Sequence, residues 1–64
     1  MKVNGKDLST DSPMSLADFV TSAGYDVQRI AVELNGAIIP KNSFSSTVLN
    51  DDDSLEIVTF VGGG

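Results

Sequence analysis

An α+β fold, a mixed sheet packed on one helix, is predicted for this chain by three observations. Two Asn-Gly dipeptides, Asn4-Gly5 and Asn35-Gly36, each stand between short runs that carry apolar side chains. Asn-Gly supplies the two positive-φ positions of a type I′ turn, so each marks a β-hairpin. Between the hairpins lies one stretch with the 3.6-residue apolar period of a helix, and after them comes one alternating run, Leu55 to Val61. At 64 residues the chain has room for one domain, near the lower size at which a core holds without disulfides or metals. No linker, repeat or low-complexity tract interrupts it before the final glycines.

The elements follow in order. Met1 to Val3 opens the first hairpin, and Lys6 to Leu8 returns after Asn4-Gly5. Ser9 to Pro13 is rich in turn formers and reads as loop. Leu16, Phe19, Val20 and Ala23 then fall at i, i+3, i+4 and i+7, one stripe of a helix. Ser15 stands at the N-cap with Asp18 three residues on, an aspartate version of the capping box, and Met14 and Phe19 form the hydrophobic-staple pair. Gly24 can take the left-handed conformation that stops the helix. In the next strand Ile30, Val32 and Leu34 share one face, with Ala31 and Glu33 on the other. Ala37-Ile38-Ile39 returns after Asn35-Gly36 until Pro40 ends the ladder. Lys41 to Leu49 is irregular and can hold one helical turn, anchored by Phe44 and by Val48 or Leu49. Asn50 to Ser54 is a polar turn. In the last strand Leu55, Ile57, Thr59 and Val61 alternate with Glu56, Val58 and Phe60. Strand, strand, helix, strand, strand, irregular, strand is the order of a β-grasp (ubiquitin-like) fold. It spans residues 1–61 here, with 62–64 as a flexible glycine tail.

Composition removes several classes of function. Cysteine and histidine are both absent, so there is no disulfide framework, thiol nucleophile, histidine base or zinc site of the usual kind. The net charge is −5, and Lys2, Lys6, Arg29 and Lys41 are scattered, whereas phosphate contacts need clustered cations. Nucleic acid is not an expected partner. An acidic surface suits basic patches on partner proteins, and it serves solubility equally well. No signal segment opens the chain, and no apolar run approaches the roughly 20 residues of a membrane span. A cytoplasmic protein away from the membrane is expected. Asp51-Asp52-Asp53 invites a calcium reading, but adjacent aspartates point in different directions, and calcium wants roughly six to eight converging oxygens. The run reads as a solvated turn, so neither metal nor cofactor is expected.

The tail itself admits two readings. Gly62-Gly63-Gly64 can be a frayed terminus, since chain ends are often disordered. It can also be an activated one. Glycines leave a slim extended segment that fits where another protein's backbone must approach closely. A terminal carboxylate becomes reactive once adenylation by ATP turns its oxygen into a leaving group, and a nucleophile then displaces AMP and stays on Gly64. A chain without Cys or His suits a carried group better than catalysis of its transfer. If Leu55, Ile57 and Val61 face the core, Val58 and Phe60 lie on the opposite face just before the tail. Loop packing can cover them, or they form an exposed apolar patch that docks to the activating enzyme. Alternation does not settle which side Ile39 takes. Tyr25, just past the helix stop, reads as a lid on the core.

Three segments together resemble a known family. They are Val32-Glu33-Leu34-Asn35-Gly36-Ala37-Ile38-Ile39-Pro40-Lys41, the acidic turn leading into Ser54-Leu55-Glu56-Ile57-Val58, and Phe60-Val61-Gly62-Gly63-Gly64. In this order and spacing the chain resembles the ThiS family, small sulfur carriers of thiamine biosynthesis, within the wider ThiS/MoaD group of ubiquitin-like carriers. The resemblance covers almost the whole chain and departs in the short return of the first hairpin, Lys6-Asp7-Leu8. It implies a monomeric carrier, not an enzyme. Gly64 would be adenylated by a ThiF-type enzyme and converted to a thiocarboxylate with sulfur from a donor protein. A thiazole synthase would then use that sulfur. Gly62 and Gly63 would be the segment threaded into both partner enzymes. Three alternatives stand beside it: a carrier that delivers sulfur to molybdopterin, a ubiquitin-like modifier joined to lysines of target proteins, and a β-grasp binding module with an inert tail.

Overall fold

The computed structural model describes residues 1–9 and 13–61. Part of the predicted Ser9–Pro13 loop and the whole Gly62-Gly63-Gly64 tail lie outside the described residues. Both Asn-Gly turns form as read from the sequence, with positive φ at Asn4 (52°), Gly5 (83°), Asn35 (51°) and Gly36 (86°). The first joins β1 (Lys2–Val3) to β2 (Lys6–Asp7), pairing Val3 with Lys6. The return strand is one residue shorter than predicted. Leu8 has left it, although its N–H still donates to the Met1 carbonyl at 2.8 Å.

Next in the chain, β3 (Met14–Ser15) runs directly into the helix α1 (Leu16–Ser22). Ser15 Oγ accepts from the Asp18 N–H at 3.0 Å, the N-cap contact that the sequence promised. At the other end Gly24 takes φ +88°, which lets the Tyr25 N–H reach the Val20 carbonyl (2.9 Å) and the Gly24 N–H reach Thr21 (3.1 Å). That pair of bonds is a Schellman stop. Leu16, Phe19 and Val20 are buried, but Ala23 is the exposed C-cap residue, because the helix closes one residue before the stripe does.

After a 3-10 turn at Val27–Arg29 come β4 (Ile30–Leu34) and β5 (Ala37–Ile39). A 3-10 segment at Lys41–Ser46 then leads to β6 (Val48–Leu49) and β7 (Ser54–Thr59). The main sheet has the order β2-β1-β7-β4-β5, with β1 parallel to β7 and every other pair antiparallel. A mixed sheet therefore covers the single α-helix, the β-grasp arrangement. Its core joins Leu16, Phe19 and Val20 of the helix to Ile30, Val32, Leu55 and Ile57 of the two middle strands. Phe44 and Leu49 close one side, whereas Val48 is exposed, which settles the choice of anchor. One element was not anticipated: β3 and β6 form a separate antiparallel pair, Met14 opposite Leu49.

Strand β7 is central, and the asparagine of each hairpin turn grips it from one side. The Ile57 N–H donates to Asn4 Oδ1 at 2.7 Å, and Asn4 Nδ2 donates to the Ile57 carbonyl at 3.3 Å. Asn35 Oδ1 accepts from the Ser54 N–H at 2.9 Å, while Asn35 Nδ2 donates to Asp53 Oδ1 at 2.9 Å. The other Asp53 oxygen accepts from the Asn50 N–H at 2.8 Å. These two donors, the Asn35 amide first, hold the Asp53 carboxyl below its ordinary value. Asp53 thus belongs to the turn as a structural member.

Asn4→Ala is expected to cost about 3 kcal/mol, from two lost hydrogen bonds at roughly 1 kcal/mol each and an alanine forced to positive φ. Asn4→Gly removes the bonds without the strain and should cost less. Urea unfolding of the three proteins measures both parts. Equal midpoints for wild type and Asn4→Gly would show that the side-chain grip contributes nothing.

Candidate functional site

The alternation along β7 holds from Ser54 to Val58. Leu55 and Ile57 are 0% and 6% exposed, and Val58 on the opposite face is 55% exposed. Phe60 lies just past the strand's end at Thr59, yet its N–H donates to the Arg29 carbonyl at 2.6 Å. That bond extends the β4–β7 ladder by one step and keeps Phe60 in the parity of Val58. It is 50% exposed. Val61 departs from expectation: read as a core residue, it is 97% exposed. The ladder's last bond is made by Phe60, so nothing turns residue 61 towards the core. Thr59, assigned to the same face, is also exposed, although its partner Ile30 is buried.

The face holds a third large apolar residue that alternation did not assign. Register pairs Val32 with Ile39 and Glu33 with Ile38. Ile39 therefore shares the inner face of Val32 and packs on the core, while Ile38 shares the outer face of Glu33 and is 76% exposed. The signal was present in Asn35-Gly36. A two-residue turn fixes the pairing of its flanks, so Ile38 must face as Glu33 does. Val58 stands opposite Ala31, and Glu33 stands between Ile38 and Glu56. The outer face thus carries Ile38, Val58 and Phe60 around two carboxylates. Large apolar side chains left exposed together on one face make it a candidate interaction surface.

Charge at the end of this face differs from its middle. Arg29 Nε lies 3.6 Å from Asp26 Oδ2, and Lys41 Nζ donates to the Gln28 carbonyl at 3.3 Å. Two of the four cations therefore gather where β7 ends, the point from which the sequence runs into the glycines. Tyr25 is partly buried against the core, consistent with a lid. Gly62, Gly63 and Gly64 lie outside the described residues. No helix among the described residues is long and apolar enough to cross a membrane.

Known proteins are similar to this chain in sequence and in shape. The ThiS family profile matches residues 1–64. The chain is 35% identical to the sulfur carrier protein ThiS of Bacillus subtilis over 65 aligned positions, covering all of this chain and 98% of that protein. It is 39% identical over 62 residues to a thiazole synthase of Paramagnetospirillum magneticum, 97% of this chain but only 19% of that longer protein. The crystal structure of a thiamine biosynthesis protein (ThiS) from Geobacter metallireducens superposes with a TM-score of 0.83 at 29% identity, covering 98% of this chain and 96% of the other.

Proposed function

This chain belongs to the ThiS family, and on that premise we propose that it is a sulfur carrier for making the thiazole ring of thiamine, a protein co-substrate and not an enzyme. The observation that carries the reading is the outer face of Ile38, Val58 and Phe60, half or more exposed and set on the strand that leads into the glycines. A partner gripping that face holds the following residues in line with its nucleotide site, so weak recognition of glycine becomes positioned chemistry.

The Gly64 carboxylate attacks the α-phosphate of ATP in a ThiF-type adenylating enzyme, and pyrophosphate leaves. Sulfide-level sulfur delivered by a donor protein then attacks the acyl carbon, the bond to AMP breaks, and a thiocarboxylate is left. A thiazole synthase consumes the sulfur and returns the carboxylate. Support for that partner comes from the Paramagnetospirillum protein, named thiazole synthase, in which a stretch similar to this chain is part of the polypeptide. Gly62 and Gly63 are the residues that enter both enzymes, since no side chain widens the chain there. Because these steps consume ATP, the carrier is expected to work in the cytoplasm.

Incubation with a ThiF-type enzyme, ATP and a sulfur source should change the intact mass by one oxygen replaced with sulfur, mapped to Gly64. Gly63→Leu should fold normally and block adenylation. If the carboxylate stays unmodified while the Bacillus carrier is converted in parallel, the carrier reading is lost. Stable attachment to many protein lysines would favour the modifier instead.

A further inference from the structure

Glu33 and Glu56 stand directly opposite one another on β4 and β7, both pointing outward. Directly opposed residues have Cβ atoms about 5 Å apart, and like charges there destabilise the sheet. Neither carboxylate has a side-chain hydrogen bond or ion pair among the described residues. Lys2, the nearest cation by register, stands opposite Ser54, one pleat short of Glu56. Arg29 and Lys41 sit at the far end, held by Asp26 and the Gln28 carbonyl. The face that carries Ile38, Val58 and Phe60 thus keeps, among the described residues, a pair of like charges with no ion-pair partner.

We propose that Glu33 and Glu56 receive an arginine of the enzyme that docks on this face, and that the contact sets the register of the tail. This rests on the carrier reading and names the partner's chemistry at that surface. A planar guanidinium offers donors on two edges and can serve both carboxylates at once. Ile38 beside Glu33 and Val58 two residues along β7 from Glu56 lower the local dielectric once water is excluded, which strengthens the attraction. Lys41, whose partner is an uncharged carbonyl, and Arg29, offset in part by Asp26, leave the tail end less favourable to the same arginine. Along β7 the cation therefore has one favourable position, and the apolar contacts, which are tolerant of sliding, do not.

The test is the pair Glu33→Gln and Glu56→Gln, singly and together, in adenylation by a ThiF-type enzyme. The double variant should be more resistant to urea than wild type, because the repulsion is gone. Its half-saturating concentration should nevertheless rise about tenfold, with turnover at saturation unchanged. Stability and docking moving in opposite directions is a result that a structural role cannot produce. Glu33→Asp with Glu56→Asp should recover part of the loss, and added salt should weaken wild type more than the double variant. An unmoved half-saturation for the carrier overturns the proposal, as does a shift confined to the half-saturation for ATP. If wild type itself is not adenylated, the carrier reading fails and takes this one with it. Normal wild type with unmoved variants removes only the arginine.

Discussion

Leu55→Ala is expected to remove most of the domain's stability. Leu55 is fully buried on the central strand and joins the cluster that unites the helix with both middle strands. Truncating a buried leucine costs about 2–5 kcal/mol once the cavity is included. A 64-residue chain at roughly 0.05–0.15 kcal/mol per residue has only about 3–10 kcal/mol in total. A large unfolded fraction at physiological temperature should therefore appear in circular dichroism, and the urea midpoint should collapse. Leu8→Ala, at an exposed residue outside any strand, is the matched control and should change little. Similar midpoints for the two variants would mean that the core is not centred on β7.

Phe60→Ala should have the opposite profile, with little loss of stability and a large loss of docking. Half the side chain is exposed, and the bond that holds residue 60 to Arg29 is made by its backbone, so it survives the substitution. An aromatic anchor in an interface is often worth about 2 kcal/mol or more on truncation, which is at least roughly tenfold in binding. The carrier concentration for half-maximal adenylation should rise by that factor, and Ile38→Ala should add to it by removing a second apolar contact from the face. Should Phe60→Ala unfold the domain while the folded remainder is adenylated normally, Phe60 is a core residue and the docking face is misassigned.

Much of this arrangement was legible because its signals are local. Asn4-Gly5 and Asn35-Gly36 force turns within four residues, and Ser15 with Gly24 brackets the helix whatever surrounds it. The pairing of β3 with β6 was not legible. It joins two-residue strands more than thirty positions apart, and Ser15 serves at once as ladder partner of Val48 and as helix cap. The exposed face was half visible. Val58 and Phe60 follow from alternation on one strand, whereas Ile38 needs the register passed from Glu33 through the turn. Val61 failed for the converse reason. Alternation describes a strand only while a neighbour pairs with it, and the ladder's last bond is made one residue earlier. The Glu33–Glu56 opposition arises from strands that meet only in the folded sheet, out of reach of any single-strand pattern.

The placement of β7 also governs how the protein comes off the ribosome. It is the middle strand of five, yet every other element precedes it in the chain. The β1–β2 hairpin and the β4–β5 hairpin are synthesised as two pieces with no direct bond between them, and each is too small to be stable alone. They can join only when residues 54–59 emerge and fill the gap. A chain cut short before that point has no sheet, no outer face and no glycine tail. A fragment that stops before β7 consequently lacks the surface that a partner enzyme would engage.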